Sequence, residues 1–121
     1  MKKNPLGDLA DLALESMDVS VSIIDTQGTL VYYNRHSARI LDRKPEYIGT
    51  DIHGHHQAPA NEKLDRMLAA FEKGRAEPFH YEARPYGKVI YVTLTPLIKN
   101  GAFAGCVQIV RLNQEAAVSE K

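Results

Sequence analysis

The chain has 121 residues, 44% hydrophobic and 25% charged, enough for one buried core and too few for two domains of ordinary size. Its 15 basic and 15 acidic side chains cancel, which removes any overall electrostatic pull toward nucleic acid or an anionic membrane. A lone cysteine, Cys106, excludes an intrachain disulfide and fits a reducing cytoplasm, and no apolar run is long enough to span a bilayer.

Met1-Lys2-Lys3 leads into Asn-Pro-Leu-Gly rather than a signal-type apolar stretch, so the expectation is a soluble, cytoplasmic protein. From Leu6 to Met17, a helical period places Leu6, Leu9, Ala10, Leu12, Ala13, Leu14 and Met17 on a broad arc opposite Asp8, Asp11 and Glu15. An arc that wide exceeds one packing face. It fits a helix shared with a second copy of the chain, or equally one that packs only on its own domain.

Val21 to Ile24 then enters the turn Asp25-Thr26-Gln27-Gly28 and emerges as Thr29 to Tyr33. Asp supplies side-chain bonding to the backbone and Gly the positive φ that a tight turn needs, so this segment predicts a β-hairpin. Asn34 follows as an N-cap for the amphipathic segment Arg35 to Leu41. A helical turn is expected at Pro45 to Ile48, ended by Gly49. Farther on, Asn61 would cap a helix in which Leu64, Met67, Leu68 and Phe71 share one face and Glu62, Lys63, Asp65 and Arg66 the other, with Gly74 as its stop.

From Phe79 onward the period changes to two. Phe79 to Arg84, Lys88 to Ile98 and Phe103 to Leu112 read as strands, linked by Pro85-Tyr86-Gly87 and by Lys99-Asn100-Gly101-Ala102, where Asn-Gly favours a two-residue hairpin turn. Two strands, a helical middle and three strands describe an α+β fold: a five-stranded antiparallel sheet with helices on one face and an amino-terminal amphipathic helix. Ile90, Val92 and Leu94 alternate with Tyr91, Thr93 and Thr95, so both sheet faces are partly apolar, and parity alone leaves open which set points inward.

The chain resembles a PAS domain, the sensor module of bacterial kinases, cyclases, chemoreceptors and transcription regulators. The residues that carry the resemblance are Ser22 to Asn34, Ala38-Arg39-Ile40-Leu41, Tyr47-Ile48-Gly49, and Thr95 to Gly101 with Gly105, spread over about Met17 to Leu112. The resemblance implies a sensor that holds a small ligand or cofactor between sheet and helices and signals through dimer geometry or an output partner. It divides the chain into an amino-terminal helix at 1–17 as the dimer contact, a PAS domain at 18–112 and a polar tail or linker at 113–121. After the last strand this chain has Leu112-Asn113-Gln114 where many members carry an Asp-Ile-Thr type motif.

Met67 and Phe71 are expected to wall the ligand pocket, with Tyr91, Thr93 and Gln108 adding polar specificity if their faces point inward. His53, His55 and His56, three imidazoles in four residues beside Gly54, are candidate ligands for haem iron or another metal. Solvated histidines, a helix cap or a pairing with Asp51 would explain them as well. A haem-based gas or redox sensor using His55 or His56 is therefore one alternative, and a ligand-free interaction module is another. No Asn-Cys-Arg-Phe-Leu type motif supports flavin photochemistry and no Gly-rich phosphate loop is present. Asp25, Asp51, His80, Glu82 and Cys106 show no spacing that joins them in catalysis, so the chain reads as non-enzymatic.

Overall fold

A computed structural model describes residues 7–41, 43–55, 58–84 and 87–112. His56, Pro85, Tyr86 and the tail at 113–121 lie outside the described residues, as do residues 1–6 of the amino-terminal segment. Helix α1 (Gly7–Ser16) precedes strands β1 (Ser20–Ile24) and β2 (Leu30–Tyr33) and helix α2 (Arg35–Leu41). Two 3-10 turns, Pro45–Tyr47 and Ile52–His55, lead to α3 (Ala58–Glu72), and β3 (Phe79–Ala83), β4 (Ile90–Lys99) and β5 (Ala102–Leu112) complete the chain. The strands form one antiparallel sheet in the order β2-β1-β5-β4-β3.

Local chemistry sets the turns. Asp25 Oδ1 accepts from the amides of Gln27 and Thr29, both at 2.9 Å, and Gly28 takes a φ of +90°. Asn100 (φ 54°) and Gly101 (φ 81°) form the expected two-residue turn between β4 and β5, whose twist matches that of the strands. One boundary differs from expectation. Helix α3 begins at Ala58 rather than after a cap at Asn61, because Pro59 is tolerated in the first turn, where its missing N–H has no helical acceptor. Asn61 instead donates from Nδ2 to the carbonyl of His53 at 2.9 Å, tying the helix to the preceding turn.

Strand parity decides the faces. Pairing of Ser22 with Gln108, Gln108 with Leu94 and Leu94 with Phe79 puts these four on one inner face with Ile24, Cys106, Val92, Val110 and Tyr81. Helix α3 lays Leu64, Met67 and Phe71 on that face, where Ile24, Leu30, Ile52, Leu94 and Cys106 complete the larger apolar cluster. Phe71 packs its ring 5.3 Å from that of Phe79 and 5.7 Å from that of Phe103. A smaller cluster under α2 joins Ile40, Ile90, Val92 and Val110.

Helix α1 reaches the opposite face at Tyr32. Tyr32, which points away from the inner face, donates its hydroxyl to Glu15 at 2.9 Å, and burial with that carboxylate pushes the phenol up to about 12. No residue of α1 is buried, and Leu9 and Leu12 stay 63% and 61% exposed. No helix of the described residues is long and apolar enough to cross a membrane.

Candidate functional site

Between the two apolar clusters the inner face is polar. Ser22 and Ser37 share a hydrogen bond of 3.0 Å between their hydroxyls, joining β1 to α2. Next to Ser22 on β5 stands Gln108, whose Oε1 accepts from Arg43 Nη2 at 3.3 Å. Gln108 also bonds the Tyr81 hydroxyl of β3; burial raises that phenol and the bond to Gln108 partly offsets the rise. Arg43, only 6% exposed, thus brings a charge under the sheet from the segment that follows α2. Ser20 adds a buried hydroxyl with no hydrogen-bond partner among the described residues. Arg43, Gln108 and Tyr81 form a row of polar groups inside an otherwise apolar layer, an arrangement that can orient a small polar molecule.

The structure divides the expected site residues. Met67 and Phe71 are buried on the inner side and Gln108 shares that face, whereas Tyr91 and Thr93 point to the outer face. There they line a shallow hollow of about 350 Å³ with His80, Glu82 and Arg111, and Thr93 Oγ1 bonds His80 Nδ1 at 3.1 Å. Only the inner trio can meet one ligand between sheet and helices. Arg43 escaped the sequence reading because it lies in an irregular segment, where no period assigns a side chain to a face.

His53 has a definite set of partners. Its Nδ1 lies 2.6 Å from Asp51 Oδ1 and its Nε2 lies 2.6 Å from Asp65 Oδ1. Two carboxylates can only accept, so both ring nitrogens carry protons and the ring is an imidazolium. These bonds to Asp65 and Asp51 outweigh burial and raise its pKa above the ordinary 6.5. An imidazolium has no lone pair for iron or another metal, so His53 as held here does not fit a haem ligand. The side chains of His55 and His56 lie outside the described residues. Among the described residues, no group of three or more His, Cys, Asp or Glu is arranged to hold a metal ion.

The remaining catalytic candidates are scattered. Asp25 is committed to its turn, Glu82 pairs with Arg84 at 2.7 Å, and Cys106 is fully buried with its thiol pushed up to about 12 by desolvation.

A family model described as PAS domain matches residues 11–111. The chain belongs to the PAS domain family. Among solved structures, the PAS domain of a protein from Colwellia psychrerythraea is 17% identical with a TM-score of 0.74, over 91% of this chain and 98% of that one. The PAS domain of Bordetella pertussis BvgS is 12% identical with a TM-score of 0.71, over 97% of this chain and 93% of that one. The PAS domain of the histidine kinase ThkA is 14% identical with a TM-score of 0.61, over 78% of this chain and 98% of that one. These likenesses bear on the fold alone. None of the curated proteins compared matches the chain. For this PAS domain, the α+β architecture expected from the strand and helix order stands as found.

Proposed function

We propose that this PAS domain is a non-enzymatic, cytoplasmic signal-transduction sensor that takes a small ligand against the inner sheet face and passes occupancy to an output partner through a homodimer. The observation that carries the reading is the polar row Arg43–Gln108–Tyr81 on the inner face, in which Arg43 is buried and Gln108 and Tyr81 are half-buried. Apolar side chains of similar volume would be cheaper to bury there, so the retained polarity fits a surface that recognises something. Met67 and Phe71 supply the apolar wall opposite. The exposed Leu9 and Leu12 of α1 supply the surface for the second copy. A ligand shifts the α1 packing only by its difference in affinity for the two arrangements.

Native mass spectrometry and thermal-shift screening of freshly purified protein test the ligand. A bound or added small molecule should raise the melting temperature, and Gln108→Leu should abolish that rise. Wild-type protein that carries nothing and shifts with no compound is instead an interaction module. The ultraviolet-visible spectrum tests haem at the same time: a Soret band lost in His55→Ala or His56→Ala would replace the reading with a haem sensor. Sedimentation tests the dimer. It should dissociate in a Leu9→Glu, Ala13→Glu variant, and a wild-type chain that already sediments as a monomer removes α1 as the route.

A further inference from the structure

Helix α3 and strand β3, which ends the sheet, enclose a groove of about 340 Å³ lined by Lys63, Arg66, Met67, Phe79, His80 and Tyr81. Its floor is apolar, with Met67 buried and the rings of Phe79 and Tyr81 half-buried. Its rim is cationic. Lys63 and Arg66 stand one turn apart on α3, and Lys63 Nζ lies 3.9 Å from the centre of the Tyr81 ring. Outside the lining residues, the guanidinium of Arg75 covers the Phe79 ring at 3.8 Å.

No carboxylate is among the described residues that line this groove. Asp65 of α3 is held by His53 and Glu82 of β3 by Arg84, while Glu62 is exposed. Arg66 makes no ion pair among the described residues. Two like charges one turn apart over an apolar floor repel each other, and an anion between them relieves that repulsion. The volume falls at the small end of ligand sites, roughly 300 to 1,000 Å³.

We propose that this groove binds a small carboxylic acid with an apolar body, an aryl or short alkyl acid, its carboxylate between Lys63 and Arg66 and its body on Met67 and Phe79. The groove opens at the sheet edge and shares Met67 and Tyr81 with the interior surface, but its charged partners Lys63 and Arg66 are its own, so it goes beyond the interior ligand.

Amide NMR titration of the full chain with phenylacetate and with hexanoate tests it, with 2-phenylethanol as the uncharged control. Both acids should shift the amides of Lys63 to Met67 and Phe79 to Tyr81 saturably in the millimolar range. Acid affinity should fall by about tenfold or more in a Lys63→Met, Arg66→Met variant that keeps the apolar stems, and the alcohol should bind the wild-type chain more weakly than phenylacetate by a similar factor. Equal affinity for acid and alcohol overturns the proposal, as does the absence of saturable shifts at these amides up to about 50 mM. Shifts confined to Ser22 and Gln108 overturn it too, and would place the acid in the interior. Should the variant fail to fold, the comparison of acid with alcohol on the wild-type chain decides.

Discussion

Asn34 donates from Nδ2 to the carbonyl of Leu14, 2.8 Å away and 20 positions earlier in the chain. The same side chain donates to the carbonyl of Val19 and accepts at Oδ1 from the amides of Val21 and Ser37. One buried amide therefore caps α2, anchors the start of β1 and ties down the end of α1. Asn34→Asp keeps the shape and the acceptor but removes both donors and aims a charge at two carbonyls. Stability should fall by about 2–4 kcal/mol, read from urea denaturation. A loss well below about 1 kcal/mol would show that water replaces these bonds readily.

His53 makes stability depend on pH. Its folded pKa is raised above 6.5, so its contribution is complete below about pH 6.5 and is lost as pH rises through the higher folded value. Above that value, one ring nitrogen must give up a carboxylate, from Asp51 on its own turn or Asp65 on α3. The groups facing the ring are these two carboxylates and the backbone around Gly28, whose approach is close enough that a Cβ there would meet the ring at 3.1 Å. The urea midpoint should decline as pH rises above about 6.5 more steeply in wild type than in Asp65→Asn. Identical slopes would show that the pair with Asp65 adds nothing.

Gly105 occupies a position that only glycine fits. Its φ is +144°, and a Cβ would stand 2.6 Å from the carbonyl oxygen of Ile24 on β1. Gly105→Ala should destabilise by about 2–4 kcal/mol, because both the strained backbone and the contact between strands must relax. Circular dichroism melts of wild type and variant measure it, and an unchanged melting temperature would contradict the close approach.

Cys106 should be inert while the domain is folded. Fully buried and with a thiol pushed up to about 12, it offers almost no thiolate at neutral pH. Iodoacetamide at about pH 8 should leave the native protein unmodified and add one equivalent once urea unfolds it. Rapid labelling of the native chain would mean that β5 opens readily at its centre.

Features set by near neighbours were legible in the sequence. Asp25 and Gly28 specify their turn, Asn100-Gly101 its hairpin, and Asn34 its cap, since each acts within about four residues. The pairing of His53 with Asp51 is equally local, whereas Asp65 reaches the ring from a helix face that sequence assigns to solvent. Tyr91 and Thr93 against Gln108 could not be sorted, because alternation fixes which residues share a face but not which face the helices cover. Arg43 is buried through its bond to Gln108, 65 positions away, and no local pattern carries that contact.

In the sheet, Ser20 at the start of β1 pairs with Val110 near the end of β5, so the chain enters and leaves the domain through adjoining central strands. A short linker could therefore splice these two points, with new ends opened at Asn100-Gly101, giving a circular permutant with the same strand neighbours. By the same token, a pull at either point loads its neighbour directly. The two flanks of the domain are mechanically one handle.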